Sequence, residues 1–340
     1  MKVVHLVLSE SFAGIEQHVD ELISYNIKQS SKNNNKLSTK PILICNNSIA
    51  HHFNKNIEIY SIKNIGRRSI YGKYKLNKLL KQINPDIIHT HGSKTASIIN
   101  SINRNKFKHV ATVHGIKKNK KVYEKADLVI GVSNRAIDGI NNNTIVITNW
   151  WHPKLNKIDF GIKEFVLAVG RLEKVKGFDL LISSWKNIQS NLLIVGSGKE
   201  KSSLLKLIDE ENLSNKIKII DDVKRDELQE FYQKASLLII SSRDEGGPRV
   251  ALEALYLGVP VISTNVGHMD QILPNELLAK KDSLDSLKKL IERYVDNIND
   301  INQEAVFQFI EDEFSIQAKV SEIIDAYQTI IVDSEVDNID

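Results

Sequence analysis

Short apolar runs recur along this chain, each closed by turn residues and separated from the next by a stretch of helical period. In the first half the runs are KVVHLVL (2–8), PILIC (41–45), IEIYSI (57–62), DIIHTH (86–91), HVATVH (109–114), DLVIGVS (127–133) and TIVITN (144–149). Helical stretches such as GIEQHVDELISYNIKQS (14–30) and IYGKYKLNKLLKQI (70–83) lie between them. Buried-strand runs alternating with amphipathic segments predict βαβ units and a doubly wound parallel sheet. NWWHPKLNKIDFGIKE (149–164) breaks the pattern and has the character of a linker, with Trp150 and Trp151 expected as hinge or interdomain packing. The alternation then restarts with FVLAVGRL (165–172), NLLIVGSG (191–198), KIKII (216–220), SLLIISS (236–242) and VPVIST (259–264). The expected fold is α/β: two Rossmann-like domains in tandem, residues 1–155 and 156–314, with a ligand cleft between facing strand ends. SSKNNNKLSTK (30–40) is expected to be a surface loop.

One junction carries most of the candidate chemistry. In SSRDEGGPRVALEALYLGVPVIST (241–264) an apolar strand ends in Glu245, a Gly246–Gly247–Pro248 turn follows, and a helix then contains Glu253. Pro248 suits the first helical turn, where a missing N–H costs nothing. The junction would present backbone N–H groups at a strand's C-terminal end, where open α/β sheets bind ligands. Glu253 would lie about 7 Å deeper along the helix than its mouth. The plainer alternative makes Glu253 a surface helix residue and Glu245 an acid favoured by the helix dipole. Upstream, VGRLEKVKGFDLL places Arg171 after a strand and Lys176 before a helix, cations suited to a diphosphate.

Composition narrows the class. With 340 residues, 41% hydrophobic, the chain is globular and of two-domain size. No apolar run reaches the ~20 residues of a membrane span, and the first residues do not form a signal peptide. A single cysteine, Cys45, rules out a disulfide framework and suits a reducing, cytoplasmic setting. The net charge of +4 hides an asymmetry: residues 1–155 hold 24 Lys and Arg against 9 Asp and Glu. A basic half of this kind points to an anionic partner or, more plainly, to a solvated face. No metal-ligand spacing or Walker-type loop is present.

GRLEKVKG, VGSG and DEGGPRVALEA…GVPVIST, in this order and spacing, resemble the retaining GT-B glycosyltransferases of family 4, marked by two glutamates eight positions apart. AGIEQHVDEL, PDIIHTHGSKTA, ATVHG and EFSIQAKVSEIIDAY extend the resemblance over most of the chain. It implies a nucleoside-diphosphate-sugar donor, UDP- or GDP-linked, with no metal or other cofactor. It assigns Glu245, Gly246 and Gly247, with Pro248, Arg249 and Val250, to the donor sugar and phosphates, and Glu253 to the ribose hydroxyls. Arg171 and Lys176 would hold the diphosphate, Gly196 and Val223 would lie along the base, His114 would contact the transferring sugar, and Gly14 would belong to a loop near phosphate and acceptor. The C-terminal helix, about 315–334, would cross back and complete the first domain. Gly247 and Pro248 stand where the family often has an aromatic residue and a glycine. Arg249, Asp221, His268 and Gln271 also depart from its pattern, which leaves the donor sugar open.

The expected activity is transfer of a sugar to a hydroxyl of a saccharide or lipid-linked saccharide, in bacterial surface polysaccharide or glycolipid synthesis. The rivals are a sugar-nucleotide epimerase of the same architecture and a basic nucleic-acid-binding protein, although no nucleic-acid signature is present. His89 and His91 are expected to serve structure or the acceptor side. RRSIYGKYKLNKLLKQI (67–83) and KKNKKVYEK (117–125) combine apolar residues with cations. At helical spacing the apolar residues of the first segment mostly share one side, the pattern of a helix that docks on an anionic membrane face or packs on its own sheet.

Overall fold

The computed structural model describes residues 1–30, 39–102, 107–116, 118–157, 161–224 and 227–336. Most of the polar loop, part of the linker and Lys117 of the second basic run lie outside the described residues. The chain forms two units, Met1–Thr148 with Ile316–Asp340, and Asn149–Ser315.

Among the described residues the first unit has seven strands: β1 (Lys2–Val7), β2 (Lys40–Asn46), β3 (Glu58–Ile62), β4 (Ile87–His91), β5 (Lys108–Val113), β6 (Leu128–Gly131) and β7 (Thr144–Val146). Helices α1 (Gly14–Ser30), α2 (Ile70–Ile83), α3 (Ser93–Ile99) and α4 (Asn134–Ile137) connect them. The sheet order is β3-β2-β1-β4-β5-β6-β7 and the paired strands are parallel. The chain winds outward from β1 to β3, then returns to β4 on the other side of β1. Its topological switch point therefore falls between β1 and β4. Both faces of the sheet must be covered, so β1, β2, β4 and β5 are almost continuously buried runs.

The second unit contains β8 (Phe165–Val169), β9 (Leu192–Val195), β10 (Ile217–Ile220), β11 (Ala235–Ile240), β12 (Val261–Thr264) and the two-residue β13 (Leu278–Ala279). Its helices are α5 (Phe178–Ser183), α6 (Lys201–Glu210), α7 (Leu228–Lys234), α8 (Arg249–Tyr256), α9 (Met269–Ile272), α10 (Leu284–Tyr294) and α11 (Glu304–Glu313). The parallel order β10-β9-β8-β11-β12-β13 repeats the winding of the first unit, with the switch between β8 and β11. β13 is too short to register as an apolar run.

The C-terminal helix α12 (Ile316–Val336) belongs to the first unit. Val320, Ile323, Tyr327 and Ile330 are buried at three- and four-residue spacing, and the helix packs against α1. The unit boundary falls after residue 148 rather than 155. The two tryptophans directly follow this boundary, and Trp150 is fully buried. Trp151 stacks on Tyr256 of α8 with centroids 3.8 Å apart. Cys45 is buried in β2, and burial pushes its thiol up to about 11. Among the described residues, no helix is long and apolar enough to cross a membrane.

Candidate functional site

The loops after β8 and β11 meet at the switch point of the second unit. Gly177 adopts φ +66°, and a Cβ there would lie 2.1 Å from the carbonyl oxygen of Ser241, so only glycine permits this approach. Two hydrogen bonds fasten the loops: Ser241 Oγ donates to the Lys176 carbonyl at 2.9 Å, and the Arg243 amide to the Val175 carbonyl at 2.8 Å. Arg243 grips Asp179 through two N–H groups at 2.7 and 2.9 Å and reaches Asp282 at 2.6 Å. Burial alone would raise the Asp179 carboxyl, but its hydrogen bonds to Arg243 and Lys174 outweigh this and hold it near about 2.

This scaffold brings two of the sequence candidates together. The Lys176 ammonium donates to Glu245, and both side chains are less than one-fifth exposed. Ser242 Oγ adds a second donor to the same carboxylate at 2.9 Å. Arg171 goes elsewhere: it pairs with Glu173 at 2.7 Å, and 69% of its side chain is exposed.

The α8 helix starts at Arg249, as the RVALEALYL run predicts. Pro248 stands before the first helical residue, Arg249, and supplies no side-chain cap. Gly246 and Pro248 are buried, and Gly247, Arg249 and Val250 are half-buried. A Cβ on Gly247 would lie 2.7 Å from the His268 ring, and its carbonyl accepts from Asn149 Nδ2 at 3.0 Å. Arg249 Nε donates to the Trp150 carbonyl at 3.1 Å, so this guanidinium is tied to Trp150.

Glu253 is not a surface helix residue: it is 2% exposed, and its carboxylate accepts from the Tyr232 hydroxyl at 3.0 Å. A buried carboxylate needs such partners to be tolerated. Glu245 precedes the helix and is held by Lys176, so the dipole of α8 is not what places it.

Gly196 directly follows β9, and a Cβ there would lie 1.9 Å from the Gly170 carbonyl oxygen. Beyond β10, Asp222 accepts from the backbone N–H of Ser197 at 3.0 Å and from its hydroxyl, joining these two strand ends. Asp221 pairs with Lys201 at 2.6 Å, and half-buried Val223 packs on the unit's core.

In the first unit Gly14 is the first residue of α1, exposed, with open space where a Cβ would be. Buried Glu16 reaches back to the Ala13 N–H at 2.9 Å and to the Ser9 hydroxyl, half of a capping box that sets this loop.

An array of histidines crosses the switch point of this unit. His5 on β1 and His89 on β4 are register partners, and His91 lies two residues further on the same face. His5 Nδ1 is 3.2 Å from His91 Nε2, and His91 Nδ1 is 3.1 Å from His114 Nε2. His18 meets the His114 ring edge to face, with centroids 4.8 Å apart. His89 is held by the Tyr327 hydroxyl of α12 and by Thr112 Oγ1, each at 2.6 Å. Burial lowers the His5 ring to about 3 and holds His89 and His91 well below 6.5, with neighbouring imidazoles adding to the effect. Ligand nitrogens of His5, His89 and His91 lie within 4.8 Å of one another, close enough for a metal ion. Both ring nitrogens of His89 are already used by hydroxyls, however, which makes the array one of hydrogen-bonded neutral imidazoles.

His5, His18, Ser242, Tyr232 and Asp222 were not singled out from the sequence. For His5 a signal existed: HTH (89–91) alternates at the strand period, and β1, which carries His5, flanks the switch point with β4.

Two doubly wound units define the GT-B class, and solved structures agree. HepE from Anabaena, in complex with UDP and glucose, superposes with a TM-score of 0.79 over 97% of this chain and 100% of that one, at 16% identity. The profile for glycosyl transferases group 1 matches residues 156–305, and that for Glycosyltransferase Family 4 matches residues 42–144. An uncharacterized glycosyltransferase of Methanocaldococcus jannaschii is 30% identical over 271 residues, 72% of this chain and 76% of that one. The amylovoran biosynthesis glycosyltransferase AmsD of Erwinia amylovora is 39% identical over 101 residues, 29% of this chain and 28% of that one. The chain belongs to the family 4 glycosyltransferases.

Proposed function

We propose that the protein is an anomer-retaining glycosyltransferase that uses a UDP- or GDP-sugar, without a metal or other cofactor. The observation that carries this is the Lys176–Glu245 pair ahead of α8, whose N-cap residue Pro248 supplies no side-chain cap. An incoming sugar diphosphate offers each partner a replacement: sugar hydroxyls donate to Glu245, and phosphate oxygens accept from Lys176. The pair would then exchange partners on binding rather than leave a charge uncompensated. As the glycosidic bond breaks, charge grows on the leaving phosphate, where Lys176, Arg171 and the first N–H groups of α8 stabilise it. The acceptor hydroxyl attacks the anomeric carbon from the face the diphosphate leaves, forming the new C–O bond as the sugar–phosphate bond breaks and passing its proton to the departing phosphate oxygen. Glu253, oriented by Tyr232, takes the ribose hydroxyls, and Gly196 and Val223 line the base. Contact of His114 with the transferring sugar, and of the Gly14 loop with phosphate or acceptor, follows from the family resemblance.

The acceptor is a saccharide or lipid-linked saccharide of surface polysaccharide synthesis, reached from the cytoplasmic side of a membrane. Polysaccharide synthesis is what the amylovoran relative's name describes. Calorimetry against UDP, GDP and their sugars tests the donor site, and NMR of the product's anomeric configuration tests retention. A donor that returns as a free epimer with no acceptor present would replace transfer by epimerisation.

A further inference from the structure

The basic helix α2 does not place its apolar residues on one side. Leu76, Leu80 and Ile83 are buried against the sheet, while Ile70, Tyr71 and Tyr74 are 85%, 67% and 66% exposed. At 3.6 residues per turn, Ile70, Tyr74, Lys78 and Lys81 fall within about 80° of one another, a stripe about 16 Å long on the face away from the core. The two uses of the helix therefore coexist. Its C-terminal turns hold the sheet, and its first turns present an isoleucine and two tyrosines to solvent.

Charge is equally one-sided. Between Glu58 and Asp86 the chain carries seven Lys and Arg and no Asp or Glu. Arg67, Arg68 and Lys75 are exposed around the same end, with Lys75 Nζ 4.5 Å from the Tyr71 ring centre. Beside them lies a cleft of about 530 Å³, its floor built from Ile62, Ile65, Leu76 and Leu79 and its rim from Lys63 and Lys75. Apolar surface ringed by cations is repeated here on both a protrusion and a hollow.

We propose that this end of α2 is a membrane-docking surface that seats the first unit on an anionic lipid bilayer. A phosphate-rich polymer would satisfy the cations but offers nothing to an isoleucine that is 85% exposed. A bilayer supplies both partners: anionic headgroups for Arg67, Arg68, Lys73 and Lys75, hydrocarbon for Ile70, and the interface between them for the tyrosines. Neither element suffices alone, because one weak apolar anchor or one basic patch gives marginal, reversible attachment. This locates the attachment for the membrane-side acceptor proposed above. It is measured with no donor or acceptor, so its failure leaves the transfer chemistry standing.

Sedimentation with vesicles tests it, comparing pure phosphatidylcholine with phosphatidylcholine containing about 30% phosphatidylglycerol. The full chain should bind only the anionic vesicles and be released by high salt. R67Q/R68Q/K73Q/K75Q and I70S/Y71S/Y74S should each weaken binding by about tenfold or more, with circular dichroism and calorimetric affinity for UDP and GDP unchanged. As a second measurement, the indole introduced by Tyr74→Trp should be quenched by brominated lipid in anionic vesicles alone. No binding to anionic vesicles, equal binding to neutral ones, an unaffected serine variant or an unquenched indole in the Tyr74→Trp variant overturns the proposal.

Discussion

Acidification should unfold the first unit before the second, because the histidine array of β1 and β4 excludes protons that the unfolded chain accepts. His5 is lowered to about 3 from 6.5 by burial, and His89 and His91 are lowered too. Each is neutral when folded and titrates near 6.5 when unfolded. Their contribution is therefore intact above pH 6.5 and is lost as the pH falls towards the folded value. For His5, whose folded value of about 3 lies below pH 5, the cost is about 1.4 kcal/mol per pH unit below 6.5, or about 2 kcal/mol at pH 5. His89 and His91 add to this in the same direction, against a typical domain stability of about 5–15 kcal/mol. Trp150, Trp151 and Trp185 all lie in the second unit, so tryptophan fluorescence follows that unit alone. Hydrogen exchange at β1, β4 and β5, corrected for intrinsic pH dependence, follows the first. Between pH 7.5 and 5 exchange protection should collapse in β1 and β4 while fluorescence holds. His5→Asn should shallow the pH slope by about 1.4 kcal/mol per pH unit, since one proton-excluding group is removed. Full protection of these strands at pH 5, or an unchanged slope in His5→Asn, would refute the assignment of the array as neutral in the folded state.

Lys176→Ala and Arg171→Ala should lower kcat more than donor affinity, because the phosphate gains charge in the transition state. Wild-type activity should survive EDTA, and Mg²⁺ rescue of a fully inactivated enzyme would contradict metal-independent transfer. Glu253→Ala should weaken nucleotide binding in calorimetry by roughly 10- to 150-fold, the worth of a charge-assisted contact. Tyr232→Phe should weaken it by only about 2- to 13-fold through the loss of one orienting hydrogen bond, and an effect as large as that of Glu253→Ala would mean that Tyr232 itself touches ligand. Gly177→Ala meets both a positive φ and the Ser241 carbonyl, so urea denaturation should show a loss of about 2 kcal/mol or more.

Much of the candidate site could be read from the sequence because its parts are local. The strand, the glycine turn and the helix holding Glu245 and Glu253 are contiguous, and each is marked by its own period or turn residues. What could not be read is which groups meet. Arg171 and Lys176 look equivalent as loop cations five residues apart. Yet one lies against Glu173 in solvent, and the other is held half-buried by Glu245. The burial of Glu253 was likewise hidden, since α8 turns it toward Tyr232 of α7. The α2 segment shows the same limit: helical period predicts a face but not where the sheet beneath it ends. Only the fold shows that Leu76 faces the core while Ile70 and Tyr74 lie exposed on the opposite face.

The sequence by itself determined the parallel α/β character of both units, the order of their strands along the chain and the positions of the acid and glycine junctions. Hydrophobic period and turn chemistry act over a few residues and need no distant partner to be expressed. Tertiary structure alone decided the pairings: Lys176 with Glu245 across 69 positions, and His89 with Tyr327 across 238. Such contacts depend on sheet order, on which loops a switch point brings together and on how deeply each side chain is desolvated. Desolvation also turns a row of ordinary histidines into a neutral array, because a low dielectric penalises the charged form of every ring it surrounds.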